Sequence, residues 1–193
     1  MHKLDITWTI LLGVAFAALT PASLPAQSVA RTSASLPVFG NVHLQYTKGG
    51  SYTPTRAQVS GQVRLTSENY DLSCETLTFV SDKPKGKAGG RPALSRATAK
   101  PAAGEQVVAD VRRPLEGQTF HVLADQAVYV PEPSRPGGVR IDFTGHVKVV
   151  TNSGFLAEPS VTTTDHATIL LGQGDDYPQL ETGPAHITAT PAQ

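Results

Sequence analysis

Val122-Leu123-Ala124-Asp125-Gln126-Ala127-Val128-Tyr129 holds two apolar alternations that are out of phase with each other. Before the acid the matching apolar positions are even, 122 and 124; after it they are odd, 127 and 129. A strand of strict period two would swing its apolar side chains to the opposite face at that break. A bulge or sheet corner at Asp125 returns both halves to one interior. Asp125 therefore reads as a corner residue rather than a catalytic acid, since short acidic side chains commonly bond turn backbone. The same change of phase occurs in Leu72-Ser73-Cys74-Glu75-Thr76-Leu77-Thr78-Phe79, at Glu75. Phe155-Leu156-Ala157-Glu158 reads as the start of a third, more degenerate copy.

Upstream of these units lies a second recurring pattern. Gly40-Asn41-Val42-His43-Leu44, Gly61-Gln62-Val63-Arg64-Leu65 and Gly145-His146-Val147-Lys148-Val149 each read glycine, polar, valine, basic or polar, aliphatic. This is the alternation of a half-buried strand opening at a glycine, where the chain needs a positive φ or a close backbone approach. Gly61 to Cys74 and Gly145 to Ala157 are similar spacings, which predicts stacked β units sharing one continuous core.

Composition points the same way. Val (18) and Thr (21) far outnumber Glu (7) and Lys (7), favouring strands over surface helices. Lys plus Arg (16) balances Asp plus Glu (16), which argues against a nucleic-acid partner. The single cysteine excludes an internal disulfide framework and a multi-thiolate zinc site.

With its glycine units and its phase-breaking acids, the chain resembles the OstA/LptA family of periplasmic lipopolysaccharide-transport proteins. The family's G-N-V-x-I unit is matched by Gly40-Asn41-Val42 and nearly by Gly61-Gln62-Val63; its I-x-A-D-x-A-x-Y unit is matched by Val122 to Tyr129. The chain departs from the pattern at Cys74-Glu75, at Glu158-Pro159 and in a long insertion between the copies. The resemblance implies an all-β fold, an open twisted β-jelly roll (a β-taco) built from repeated antiparallel units around an apolar groove. It also implies the partners: lipopolysaccharide or a related glycolipid, other Lpt-type inner- and outer-membrane components, and head-to-tail copies of the chain joined through edge strands. The side chains expected on one interior face are Val42, Leu44, Val63, Leu65, Leu72, Leu77, Phe79, Val122, Ala127, Tyr129, Ile141, Phe143, Val147 and Val149. Read as residues alone, that face fits a filled sandwich core as well as a lipid groove. A groove would need no charge for affinity, because each buried methylene contributes about 0.8 kcal/mol.

The ends and the insertion are different material. Residues 1–26 carry an apolar stretch from Ile6 to Leu19 followed by small residues, the pattern of a secretory signal peptide and of a periplasmic destination. The stretch is shorter than the roughly 20 residues of a spanning helix. A retained anchor, as in an LptC-like role, is the alternative. Residues 27–37 read as a flexible segment and 38–193 as the β domain. Within it, 81–106 has six basic residues, two acidic ones and no aromatic, and reads as a disordered basic loop.

No constellation for catalysis, metal or cofactor emerges. The six histidines form no HxH, HExxH or HxxxH pair, and no nucleophile elbow or phosphate loop is present. Asp175-Asp176 supplies too few oxygens for calcium. Cys74 reads as a small buried hydrophobe. The resemblance, with no such constellation beside it, implies a non-enzymatic periplasmic lipid-binding component of lipopolysaccharide transport. A structural or adhesive β-assembly is the alternative, and a jelly-roll enzyme acting on sugar is disfavoured by the lack of recurring paired carboxylates.

Overall fold

The computed structural model describes residues 30–36, 40–53, 55–82, 94–113, 117–132, 138–154, 156–171 and 178–188. The segment read as a signal peptide lies outside the described residues, as do 83–93 of the insertion and the Asp175-Asp176 turn. Every regular element among the described residues is a strand. In chain order these are β1 (Ala30–Leu36), β2 (Gly40–Tyr46), β3 (Gly49–Thr53), β4 (Arg56–Thr66), β5 (Tyr70–Ser81), β6 (Leu94–Lys100) and β7 (Val107–Arg113). There follow β8 (Gln118–Ala124), β9 (Gln126–Glu132), β10 (Gly138–Asn152), β11 (Ser160–Leu171), β12 (Gln179–Thr182) and β13 (Ala185–Thr188).

All pair antiparallel in one 13-stranded sheet, and that sheet is folded over. The long strands β4, β5, β10 and β11 run through the fold line, while the shorter ones stop there and resume on the other side. The first leaf has the order β1-β2-β4-β5-β7-β8-β10-β11-β13. The second leaf has the order β3-β4-β5-β6-β9-β10-β11-β12. The result is an open, twisted β-jelly roll.

Two bulges make the fold line. Between Ser60 and Val63, β4 has Gly61 and Gln62 where β5 has only Glu75. Between Thr144 and Val147, β10 has Gly145 and His146 where β11 has only Asp165. On the other side of β10, the Asp125 N–H donates to the Thr144 and Gly145 carbonyls at 3.1 and 3.0 Å. The bulge residues take positive φ: 85° and 45° at Gly61 and Gln62, 72° and 42° at Gly145 and His146. A Cβ on Gly145 would lie 2.5 Å from Asp125 Oδ2, and one on Gly61 would run into the Lys48 backbone. The glycine is thus required twice over, by conformation and by close approach. Two-against-one pairing is what changes the phase of β5 at Glu75 and of the β8–β9 pair at Asp125. Buried Tyr70, Leu72 and Cys74 give way to buried Leu77, and buried Phe120, Val122 and Ala124 to buried Ala127.

Four expectations change. In Gly61 and Gly145 the glycine sits mid-strand, at the bulge, and does not open a strand. The third copy of the phase-breaking unit is centred on Asp165 rather than on Glu158. Thr162 is buried before Asp165, and Ala167, Ile169 and Leu171 are buried after it. The β10–β11 connection is longer than the β4–β5 turn, so this copy arrives later than the earlier spacing suggested. The stretch 27–37 includes β1, which pairs along its length with β2. Finally, 94–100 of the insertion is not a loop but β6, hydrogen-bonded on both sides to β5 and β9. Its interior-facing residues, Ala97 and Ala99, are small and carry almost no hydrophobic signal.

Candidate functional site

The interior lies between the leaves. The expected residues Val42, Val63, Leu65, Leu72, Val122, Val147 and Val149 of the first leaf and Leu77, Ala127, Ile141 and Phe143 of the second are buried there. Leu44, Phe79 and Tyr129 are half-buried and pack against the same core. Cross-strand register sets them in ranks. In the second leaf one rank runs Tyr52, Ala57, Phe79, Ala97, Tyr129, Ile141, Ile169, Leu180. In the first, Leu44, Leu65, Leu72, Ala109, Val122, Val149, Thr162 and Ile187 form another.

Among the described residues the interior has an unfilled place beside β6. Ala97 and Ala99 of β6 and Ala127 of β9 stand side by side, with Phe79 and Tyr129 flanking Ala97 in register. Opposite them are Leu65, Tyr70 and Leu72 of the first leaf. The three alanines leave a cavity of about 30 Å³, lined also by Leu77, Leu94 and Ile141. That is space for a water or two, yet every side chain around it except Tyr70 and Tyr129 is hydrocarbon. Burial pushes the Tyr129 phenol up to about 12 and the Tyr70 phenol higher still. Burial likewise raises the Cys74 thiol to about 12, assisted by neighbouring Glu75, so it remains an unreactive interior group. Sequence reasoning missed Tyr70, Leu94, Ala97 and Ala99. The L-x-x-A-x-A alternation of β6 was the one available sign.

The fold line is polar. Lys48 Nζ donates to Glu75 Oε1 at 2.5 Å and the Gln62 N–H to Glu75 Oε2 at 3.3 Å. These contacts, Lys48 foremost, hold the Glu75 carboxyl below the usual carboxylate range. At the second bulge His146 Nδ1 lies 2.7 Å from Asp125 Oδ2. That hydrogen bond raises the His146 imidazole above its ordinary value, with Asp165 adding to it from β11. A hollow of about 470 Å³ opens beside this line on the outer surface, with Arg64, Ser73, Glu75, Glu105 and Gln106 among its lining. It is wide open, mixed in polarity and bordered by the Lys48–Glu75 pair. Among the described residues no group of three His, Cys, Asp or Glu is placed to hold a metal ion.

The free margins of the leaves lie opposite the fold line. On the first leaf, Arg112 faces outward, bonding Asp71 and, at 3.2 Å, the Glu68 carbonyl. Arg113, next along β7, falls on the face of Val107, Ala109 and Val111, and its Nε is buried.

No protein-family model and no curated protein sequence matches the chain. Among solved structures it is similar to LptH from Pseudomonas aeruginosa, described as the LptA homologous periplasmic component of the conserved lipopolysaccharide transport device. The match has a TM-score of 0.50 at 12% identity and covers 79% of this chain and 95% of that one. The two share a fold. Identity this low carries the folded-over sheet and its layered interior, and leaves the groups that would touch a ligand to be argued from this chain's own residues.

Proposed function

We propose that the protein is a periplasmic component of lipopolysaccharide transport to the outer membrane, holding acyl chains of lipopolysaccharide or a related glycolipid in the apolar interior between its leaves. The observation that carries this reading is the alanine-lined cavity, walled mainly by hydrocarbon, in a fold shared with a periplasmic lipopolysaccharide-transport component. An acyl chain would widen the cavity by moving the half-buried Phe79, Tyr129 and Leu94. Each methylene so buried would contribute about 0.8 kcal/mol. Export through the N-terminal segment, and contact with other Lpt-type membrane components, belong to this proposal.

Protein isolated from its own envelope should carry acylated glycolipid by native mass spectrometry, and a photo-crosslinker at Phe79 or Tyr129 should capture it. Lipid-free protein together with silent crosslinkers at both positions would remove the transport reading. A second reading, a lipid-free β-assembly, is favoured by the outer strands β3 and β13, each paired on one side alone among the described residues, where Tyr52 and Ile187 are 63% and 62% exposed. End-to-end association of lipid-free protein, with no lipid captured, would establish it.

A further inference from the structure

The second leaf has an outer face as well as an inner one. Val59, Leu77, Phe79, Ala97 and Ala99 turn toward the interior, so the positions alternating with them on β4, β5 and β6 turn outward. Register sets these outward positions in three ranks. The rank farthest from the fold line reads Arg56, Val80, Arg96, and the rank beside the fold line ends in Lys100. The remaining positions of the three ranks carry serine, threonine or glutamine, and none carries a carboxylate. Arg56, Arg96 and Lys100 are exposed, and none of the three has an ion-pair partner among the described residues. Farther along the same leaf the charges are balanced: Arg140 of β10 is held by Asp142 at 3.0 Å, and Glu181 lies on β12. The unpaired cations of this leaf are therefore gathered on β4 and β6. The connection from β5 to β6 adds to the same sign, with Lys83, Lys85, Lys87 and Arg91 and no acid between residues 83 and 93.

We infer that this outer face docks the protein onto the surface of an anionic phospholipid bilayer. Arg56 and Arg96 stand two strands apart, about 9.6 Å, and Lys100 stands about 13 Å along β6 from Arg96. Cations spread in this way over a flat face meet an array of phosphates rather than one small anion. The hydroxyls between them supply donors for head-group oxygens. Val80, between the two arginines, is 37% exposed, and an aliphatic side chain flanked by guanidinium groups suits the boundary between head groups and hydrocarbon. Charge complementarity commits the occupant, since a neutral or cationic bilayer would gain nothing from the three cations. The inference concerns the outside of the sheet and does not rest on what the interior holds.

The test is flotation of the full chain with vesicles of phosphatidylcholine alone and of equimolar phosphatidylglycerol and phosphatidylcholine. Wild type should float with the anionic vesicles and not with the neutral ones, and the binding should fall as salt is raised. Arg56→Gln, Arg96→Gln and Lys100→Gln should each weaken it about fivefold, and the triple variant about a hundredfold. Arg56→Lys combined with Arg96→Lys should keep most of it. Lys148→Gln, an exposed charge on the first leaf, should leave it near wild type. Wild type that ignores anionic vesicles, or floats equally with neutral ones, overturns the inference. So does a triple variant that still binds, which moves the contact off this face. A loss in Lys148→Gln as large as in Arg96→Gln overturns it in favour of net charge, and a loss in the Lys variants as deep as in the Gln variants overturns it in favour of local packing. Dextran sulfate bound as tightly as the anionic vesicles, and lost in the triple variant, would give the face to a soluble polyanion instead. Each of these outcomes leaves the glycolipid content of the interior, read by native mass spectrometry, unchanged.

Discussion

At the scale of single residues the fold line concentrates the strain. Gly145 has φ +72°, and a Cβ there would meet the Asp125 carboxylate and its Cβ. Gly145→Ala should therefore destabilise the protein by about 1–3 kcal/mol, read as a lower denaturation midpoint in urea. An unchanged midpoint would show that the bulge is not needed to fold the sheet. The neighbouring His146 offers a titration. Its folded pKa is raised above about 6.5 by the Asp125 hydrogen bond, so its stabilising contribution is present below 6.5 and is lost as pH rises through the folded value. Glu75 runs the other way. Its pKa is lowered by Lys48 and Gln62, so its contribution holds above about 4.5 and is lost as pH falls through the folded value. An NMR titration should place the His146 midpoint above 6.5 in wild type and lower in Asp125→Asn; identical midpoints would dissolve the pairing. The glycines and the two acids were legible in the sequence because a positive φ and a phase break leave marks on single positions. The His146–Asp125 contact was not, because it joins residues 21 apart through a register known only after the strands have paired.

At the scale of elements, what could be read depended on side-chain size. β4, β5 and β10 announce themselves through valine, leucine and phenylalanine in alternation, and their interior faces fall where the pattern puts them. β6 does not, because alanine distinguishes a buried face weakly from a loop and the surrounding lysines, glycines and prolines dominate the stretch. Its tertiary position overrides that composition: Leu77, Thr78 and Phe79 on one side and Ala127, Val128 and Tyr129 on the other supply a complete ladder. Proline is excluded from such a central strand. Thr98→Pro should orphan a backbone acceptor at about 1–3 kcal/mol or more. It should also speed amide exchange at Leu77, Phe79, Ala127 and Tyr129 while leaving β10 and β11 protected. Exchange unchanged in β5 and β9 would mean that β6 is dispensable to the second leaf.

For the whole molecule the telling feature is that, among the described residues, the folded sheet is open at both ends. β1 and β3 terminate the leaves at one end, β12 and β13 at the other, and each pairs on one side alone among the described residues. The interior ranks run out to these edges. Tyr52 of β3 is the outermost member of the Phe79 rank, and Ile187 of β13 the outermost member of the Leu72 rank; both keep more than half their surface exposed. Exposed strand edges recruit further strands. An apolar interior that stops at an open end could be completed by the start of another, and the head-to-tail association proposed on that ground is a heterologous contact that propagates rather than closes. Sedimentation velocity should show assembly growing with protein concentration. Ile187→Lys or Tyr52→Lys should weaken each step about tenfold or more, the equivalent of losing one large apolar side chain from a buried contact. Because the contact joins unlike ends, an equimolar mixture of the two variants should still form the pairing of intact ends and stop at dimers. Closed dimers in wild type, with neither variant affecting them, would instead indicate a symmetric interface elsewhere and would detach the open ends from assembly.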